Sequence, residues 1–386
     1  MAELDKRSKE SPADMKDCVC CSRSANTPFD HESRRISRRT FLLGLSAVTA
    51  TACEGPAVPR RALEPLNAPA DLDAFQLPFI DFHTHLQRRV SAEELVAHMD
   101  RTGVARMVLM PLYYGDSGGA VSDGEGTDEQ ALDYARRFPA RFVPFVGMQR
   151  GQLLDEKRWL FPDEVASRLL QETDSKLRSG EFFGMGEFMF RFYPYKTSLG
   201  MVAVSDMDFP ADSNLMKLFA DLSANYWAPM VFHCEAEPKA AAAMIRLIES
   251  HPDATFVWAH NCGRSSAEQI TTLLSRYPNL YADLSAMMYT QGEGYGSYWP
   301  RRTPWMHLIA DCWGTLYPEM KALFEAFPDR FLVGTDTAHA RVYQYYPQRV
   351  DRWRIFCSQL SRGAARKIAF ENAERLFRLG SGQATA

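Results

Sequence analysis

The sequence has few cysteines, a small net charge and no long hydrophobic run, and each of these features argues against a class of protein. Only 8 of the 386 residues are cysteine, and the net charge is −4. A disulfide-stapled scaffold is therefore not indicated, and the charge balance gives no reason to expect nucleic acid as a partner. The mostly apolar stretch at residues 43–52 falls far short of the roughly 20 residues that a membrane-spanning helix needs.

The four cysteines beyond residue 60 lie in apolar segments, where a free thiol behaves as a small buried hydrophobe. They are Cys234, Cys262, Cys312 and Cys357. We therefore expect no required disulfide in the body of the protein.

The composition favours one large globular domain. Hydrophobic residues make up 46% of the chain, enough for a single core of the size that barrels and other α/β folds build. Apolar runs of strand length alternate with amphipathic helical stretches, which is the pattern of repeated βα units. Eight strands are predicted, at residues 77–85, 105–112, 142–148, 183–188, 230–233, 255–260, 280–285 and 331–336.

Helix signals fall between these strands. Capping boxes, in which side chains satisfy the free amides of a first turn, are predicted at Ser91 with Glu94, Thr127 with Gln130 and Ser265 with Glu268. Further helices are predicted at 163–177, 214–226, 238–248, 304–324 and, from its apolar stripe, 367–377. Eight βα units predict a closed (β/α)₈ TIM barrel. An open doubly wound sheet, the alternative, would need a glycine-rich phosphate loop after the first strand, and residues 86–88 supply none.

The first 75 residues differ from this body. Arg38 and Arg39, followed by the apolar residues 41–52, resemble a twin-arginine export signal. That route carries proteins that are already folded. We expect export to the periplasmic side by the twin-arginine machinery, the alternative being a short hydrophobic helix. The expected divisions are a signal region at 1–52, a linker at 53–75, the barrel at 76–380 and a tail at 381–386.

Two processing sites compete at the end of this signal. Residues 50–52 fit the A-x-A rule of an ordinary signal peptidase. Residues 50–53 also resemble a lipobox, in which Cys53 is acylated and becomes the mature N-terminus. We favour the lipoprotein, so membrane contact is expected only through a lipid on Cys53.

A metal site is predicted at the C-terminal ends of the strands. Strand one ends in Asp81-Phe82-His83-Thr84-His85; alternate residues share a face, and two neutral imidazoles on one face form a metal pincer. Active sites of (β/α)₈ barrels lie at these ends, and core histidines would not gather there. Four further strand ends carry a candidate ligand, namely Glu187, His233, His260 and Asp336.

These motifs, in this order, resemble the amidohydrolase superfamily, and most closely its amidohydrolase-related branch. The resemblance covers about residues 77–379. It rests on the 81–85 motif, the histidines of strands five and six, the Gly-Thr-Asp run at 334–336 and the terminal helix.

The resemblance implies one divalent ion bound by His83, His85 and Asp336, with His233 as a ligand or close neighbour. Two-metal members of the superfamily have a bridging carboxylated lysine on strand four. This chain has Glu187 there, which is similar to the bridging ligand of TatD-like hydrolases, and the metal count stays open. If Glu187 bridges, a second ion lies between His233 and His260; if it does not, one ion remains and His260 is a free acid or electrostatic group.

The leading hypothesis is a metal-dependent hydrolase of an ester, lactone or amide bond. A divalent ion, most suitably Zn²⁺ and otherwise Mn²⁺ or Fe²⁺, lowers the pKa of a bound water so that hydroxide is supplied at neutral pH. Asp336 is expected to take the water proton, His260 to stabilise an oxyanion and Asp81 to support the ligands from behind. The second hypothesis is a mononuclear decarboxylase or hydratase of an aromatic or unsaturated carboxylic acid, and the third is a non-catalytic exported binding protein.

Substrate contacts are expected from the loops that follow the strands. Aromatic and arginine side chains there indicate a small-molecule pocket for a flat or carboxylated compound, the alternative being that these aromatics pack on one another. The candidates are Arg191, Tyr193 and Tyr195 after strand four, Tyr289, Tyr295, Trp299, Arg301 and Arg302 after strand seven, and His339 and Arg341 after strand eight.

Overall fold

The computed structural model describes residues 60–113, 126–193, 206–288, 306–338 and 340–378. The predicted signal region, Cys53 and the tail lie outside these ranges, so export, processing and lipidation stay predictions. Within the described part of the chain, no helix combines the length and the apolar character that crossing a membrane requires.

Parallel strands form a (β/α)₈ TIM barrel, as predicted. The described strands are β1 (Phe79–Asp81), β2 (His85–Leu86), β3 (Val104–Pro111), β4 (Phe142–Pro144), β5 (Val146–Gly147), β6 (Met185–Phe192), β7 (Met207–Asp208), β8 (Met230–Cys234), β9 (Phe256–Trp258), β10 (Leu280–Asp283) and β11 (Phe331–Leu332). β3 pairs with β1, β2 and β4, and a parallel series runs from β5 through β6, β8, β9 and β10 to β11. The first and third predicted strands are each interrupted, so each appears as two short strands.

Hydrogen bonds between the first and last segments close the barrel. Asp336 N donates to His83 O at 2.9 Å, and Thr84 pairs with Thr337 in a parallel bridge. This closure places the end of the first strand beside the end of the eighth. Candidate ligands that are about 250 residues apart in sequence therefore become neighbours.

Helices connect the strands, and the predicted capping box at Ser91 forms in full, whereas Thr127 caps its helix without the returning bond from the Gln130 side chain. Both side chains accept a hydrogen bond from the backbone amide three residues later. The helix Tyr346–Ser358 has no counterpart among the predictions. The described helices are Ala92–Thr102, Asp128–Arg137, Glu156–Leu160, Glu164–Arg178, Asn214–Tyr226, Pro238–Ser250, Ala267–Arg276, Pro318–Ala326, Tyr346–Ser358, Arg362–Arg366 and Asn372–Arg378.

Two helix predictions need correction. The third capping box forms one residue later, at Ser266, because the Ser265 hydroxyl instead donates to a carbonyl of the preceding turn. The helix predicted over 304–324 begins only at Pro318. Ahead of it, the Asp311 carboxylate accepts from two backbone amides at 2.9 Å, and such local bonding competes with helix formation.

The cysteines behave as expected at three positions and differently at one. Cys234, Cys262 and Cys357 are buried free thiols, and burial raises the pKa of Cys357 to about 12. Cys312 is disulfide-bonded. Cys312 therefore departs from the expectation that these four cysteines behave as free buried thiols, and it lies in the irregular segment before Pro318 rather than in a helix.

The terminal helix, predicted at residues 367–377, packs against one side of the core. Its predicted apolar stripe is buried, although residues Lys367–Glu371 form a π-helical turn ahead of Asn372–Arg378. Phe377 stacks on Phe82 with ring centres 5.9 Å apart and meets Phe183 edge-on at 6.0 Å. These contacts join the last element of the described chain to the first strand.

Residues 60–69, predicted as part of a linker, pack across the N-terminal end of the barrel, and we call them the N-terminal cover. Arg61 N donates to Gly180 O at 2.8 Å, and the Arg60 guanidinium donates to Tyr226 O at 2.8 Å. Both arginines lie 5.6 Å from the centre of the Phe183 ring. Their partners precede β6 and β8, so the cover lies at the end of the barrel where strands begin.

Glu374 joins the N-terminal cover to the barrel, and replacing it tests this connection. Its Oε1 accepts from Leu66 N at 2.7 Å and from the buried Arg106 at 2.8 Å. We expect Glu374→Gln to lower the free energy of unfolding by about 2–3 kcal/mol, because the buried Arg106 charge loses its counter-ion. Denaturant unfolding followed by tryptophan fluorescence measures the change.

The matched control is Glu371→Gln, which removes a more exposed carboxylate from the same part of the chain. Glu371 pairs with Arg366 at 2.6 Å, and an exposed pair contributes under about 1 kcal/mol. Equal unfolding midpoints for the two variants would show that Glu374 is not part of the connection.

Candidate metal centre

All six side chains predicted from the strand ends lie together at the C-terminal end of the barrel. Glu187 is at the centre of the group, on β6. Its Oε1 lies 3.7 Å from His83 Nε2, 3.6 Å from His233 Nδ1 and 3.6 Å from His260 Nε2. Its Oε2 lies 3.6 Å from His85 Nε2. One carboxylate thus faces four imidazoles that come from three different parts of the sheet.

The imidazoles form two pairs, one on each side of Glu187. His83 and His85 approach to 3.2 Å between their Nε2 atoms, and His233 Nδ1 lies 2.8 Å from His260 Nε2. Together with Glu187, each pair forms a group of possible ligand atoms that all lie within 4.8 Å of one another. We call these groups the first triad (His83, His85, Glu187) and the second triad (Glu187, His233, His260).

Apart from the shorter His233–His260 contact at 2.8 Å, the separations within the triads fit ligands that share an ion. Metal–ligand bonds from imidazole or carboxylate are about 2.0–2.2 Å long, so two ligands of one ion lie roughly 3–4 Å apart. Glu187 Oε1 is buried and has no hydrogen-bond partner among the described residues, which is costly for a carboxylate oxygen unless a cation is present. The donor set of both triads therefore fits a divalent metal.

The electrostatics of Glu187 agree with this fit. Burial alone would raise the pKa of Glu187, but the positive charge of His83 and the neighbouring His233 and His260 hold that pKa well below its usual value. Gln149 Nε2 donates to Glu187 Oε2 at 2.8 Å and orients the carboxylate. Glu187 is therefore an anion at neutral pH.

Asp336 stands beside the first triad and is the most exposed of the six side chains. Its Oδ1 lies 3.4 Å from His85 Nε2 and 3.7 Å from His83 Nε2, and its side chain is 15% exposed, against 4% or less for the triad histidines. Burial would raise the pKa of Asp336, but hydrogen bonding to His85 and the charges of His83 and His260 hold it below its usual range. Asp336 is the carboxylate of the cluster that solvent reaches.

Behind the second triad, a buried acid that the sequence analysis missed orients His233. Glu235 Oε1 lies 3.0 Å from His233 Nε2 and pairs with the buried Arg264. Glu235 follows His233 by two residues at the end of β8, so strand alternation alone places the two on one face. That signal was available in the sequence.

Asp81 has a different role from the one predicted. It accepts hydrogen bonds from Thr335 N, Thr335 Oγ1 and Tyr346 Oη, each at 2.8 Å, and none of the site histidines is its hydrogen-bond partner among the described contacts. Burial raises the pKa of Asp81 to about 6. Asp81 therefore ties strand one to the segment that carries Asp336, while Asp283 of β10 is the acid that contacts His83.

A left-handed turn at residues 259–264 positions His260. The φ angles from His260 to Arg264 lie between +54° and +67°, a conformation that costs roughly 1–2 kcal/mol for each residue other than glycine. Ala236 N donates to Gly263 O at 3.0 Å, which holds the turn against the end of β8. The turn brings His260 beside His233 and Arg264 beside Glu235. Backbone strain of this kind is often concentrated at functional sites.

Two of the predicted substrate residues are described, and both take part in an ion-pair cluster. The Arg191 guanidinium donates to Asp206 at 2.5 Å and to Glu237, and it stacks on the Tyr193 ring with its central carbon 3.7 Å from the ring centre. Tyr193 Oη donates to Glu237 at 2.5 Å. Tyr195, Tyr289, Tyr295, Trp299, Arg301, Arg302, His339 and the side chain of Arg341 lie outside the described residues.

Comparisons with known proteins agree with the fold. Residues 200–379 match the model of the Amidohydrolase family. This range contains the second-triad histidines and Asp336, whereas the first-triad histidines and Glu187 precede it. No curated protein sequence matches the chain.

Solved structures resemble the whole barrel at low sequence identity. A TIM-barrel protein from Bordetella bronchiseptica is 16% identical, with a TM-score of 0.51 over 80% of this chain and 100% of that one. A 2,6-dihydroxybenzoate decarboxylase from Rhizobium is 14% identical (TM-score 0.45, 78% and 99% covered). A 5-carboxyvanillate decarboxylase from Novosphingobium aromaticivorans, solved with manganese, is 13% identical (TM-score 0.47, 81% and 99% covered). At this distance the first structure bears on the fold alone, and the two decarboxylases decide nothing about the reaction.

Proposed function

We propose that this chain is a metal-dependent hydrolase that cleaves an ester, lactone or amide bond of a small organic substrate. In this proposal each triad holds one divalent ion and Glu187 is shared between them. The observation that carries the proposal is the position of Glu187 Oε1, which is buried, has no hydrogen-bond partner among the described residues and lies 3.6–3.7 Å from imidazole nitrogens of both triads. A carboxylate that only supported the ligands from behind would not need such a central position.

The two-ion arrangement favours hydrolysis over the other reactions considered. When bound, the ions lower the pKa of water and so supply a nucleophile at neutral pH. Asp336 is the proton acceptor in this proposal, because it lies 3.4 Å from His85 and its side chain is the one that solvent reaches. Its lowered pKa keeps Asp336 deprotonated at neutral pH.

His260 is assigned as a ligand rather than as a free acid. Its Nδ1 donates to the carbonyl oxygen of Ser285 at 2.9 Å, and its Nε2 faces His233 and Glu187. Both ring nitrogens are thus engaged within the cluster, and the expected role in stabilising an oxyanion is not retained in the proposal. Imidazole and carboxylate ligands suit Zn²⁺, and Mn²⁺ is compatible with the same donors.

Removing the metal tests the proposed function. We expect the purified chain to hydrolyse members of a panel of esters, lactones and amides, and a chelator to reduce the rate at least about 100-fold, because metal assistance contributes several kcal/mol. Added Zn²⁺ or Mn²⁺ should restore the rate. Elemental analysis of the reloaded chain should approach two ions per chain.

Two other results would overturn the proposal in different ways. One ion per chain at saturation, with turnover of aromatic carboxylic acids to carbon dioxide, would identify a mononuclear decarboxylase. Hydrolysis that is unaffected by the chelator would show that the triads do not perform the reaction.

A further inference from the structure

The end of β10 contacts both triads, although the sequence analysis assigned it no role. We propose that the segment 283–285 is a positioning device that orients one histidine of each triad and so couples the affinities of the two metal sites. This inference rests on the proposed function, since it assumes that both triads bind metal.

Each contact sets the tautomer of one ring. The Asp283 carboxylate accepts a hydrogen bond from His83 Nδ1, and the Ser285 carbonyl oxygen accepts one from His260 Nδ1 at 2.9 Å. Because both partners are hydrogen-bond acceptors, each ring carries a hydrogen on Nδ1, and the neutral form of the ring that binds a metal keeps its lone pair on Nε2. The Nε2 lone pair of each ring is then directed towards Glu187 Oε1, 3.7 Å from His83 and 3.6 Å from His260.

The Ser285 hydroxyl connects the two contacts. Its Oγ donates to Asp283 Oδ2 at 3.1 Å and lies 3.2 Å from His83 Nδ1 and 3.3 Å from His260 Nδ1. The backbone amide of Ser285 donates to Asp283 Oδ1 at 2.7 Å. Asp283 and Ser285 are completely buried, so a shift of either side chain is transmitted to both rings rather than absorbed by solvent.

The other two triad histidines are held separately. His233 is oriented from its far side by Glu235, at 3.0 Å, and His85 Nδ1 has no hydrogen-bond partner among the described residues. Within the described residues, segment 283–285 is therefore the support that both triads have in common. A change at Asp283 should weaken two sites, whereas a change at Glu235 should weaken one.

Titration of the metal-free chain with Co²⁺ tests the coupling, because cobalt absorbance reports the filling of each site. We expect Asp283→Asn to weaken binding at both sites by about 10- to 100-fold, the range typical for loss of such a supporting group. The matched control, Glu235→Gln, should weaken one site and leave the other within about twofold. Ser285→Ala should weaken both sites by less than Asp283→Asn, because the carbonyl contact to His260 remains.

The result separates this inference from the proposed function. If the unchanged chain binds fewer than two Co²⁺ ions, the proposed function fails. If it binds two and Asp283→Asn weakens only one site, or neither, the coupling is wrong while the hydrolase proposal stands. Circular dichroism of each metal-free variant shows whether the barrel is intact, and Ser285→Ala decides the question if Asp283→Asn does not fold.

Discussion

Glu187→Gln is expected to reduce hydrolysis about 10³-fold and to lower the metal content from two ions per chain to one or fewer. The amide keeps the shape of the side chain but removes the negative charge that both triads share, and losses of this size follow when a single charge-stabilising group is removed from an active site. Elemental analysis and steady-state kinetics on the same preparation measure both effects. Because the change is isosteric, the barrel should unfold at nearly the same denaturant concentration.

A control carboxylate lies a few residues earlier in the chain. Glu181 is a partly exposed acid that pairs with Arg136 at 2.8 Å, outside both triads, and Glu181→Gln should leave turnover and metal content unchanged. If Glu187→Gln keeps two ions and the full rate, Glu187 does not bridge the two metal sites. The main argument for a two-ion hydrolase would then be lost.

Gly263→Ala should destabilise the protein by about 3–5 kcal/mol and empty the second triad. Gly263 has a φ of +66°, and a Cβ there would lie 2.1 Å from Cys234 O and 2.7 Å from Ala236 N. Both neighbours are backbone atoms at the end of β8, so the left-handed turn must move away from that strand. The expected loss combines the strain of a left-handed alanine with overpacking, and thermal or denaturant unfolding measures it.

Gly363→Ala is the matched control, because a Cβ on Gly363 meets nothing within 4 Å. Gly363 lies in the helix Arg362–Arg366, where alanine is favoured over glycine by up to about 1 kcal/mol. If Gly263→Ala unfolds at the same midpoint as this control and still fills the second triad, the left-handed turn does not position His260.

The six site residues were predictable because each lies at or next to the C-terminal end of a strand, which is where the active sites of such barrels lie. The same reasoning does not identify Asp283. The predicted seventh strand ends at Ser285, and Asp283 lies two residues before that end. Glu235 escaped because His233 already accounted for its strand end.

The sequence contains no comparable indication of the left-handed turn at residues 259–264. Helix propensity predicts a right-handed first turn after β9, and only Gly263 indicates another conformation. The sequence therefore predicts the helix cap at Ser265 rather than at Ser266. Substrate contacts are still harder to predict from sequence, because side chains in loops do not follow the periodicity that helices and strands impose. Arg191 shows the difficulty, since its guanidinium is engaged by Asp206 and Glu237 although its sequence position suggests a ligand contact.

The N-terminal cover packs where the strands begin, and the metal triads lie where the strands finish. The cover and the triads therefore lie at opposite poles of the barrel. Immobilising the protein through a side chain of the cover itself, on a bead or an electrode, should leave the pole that carries the triads turned towards the bulk liquid.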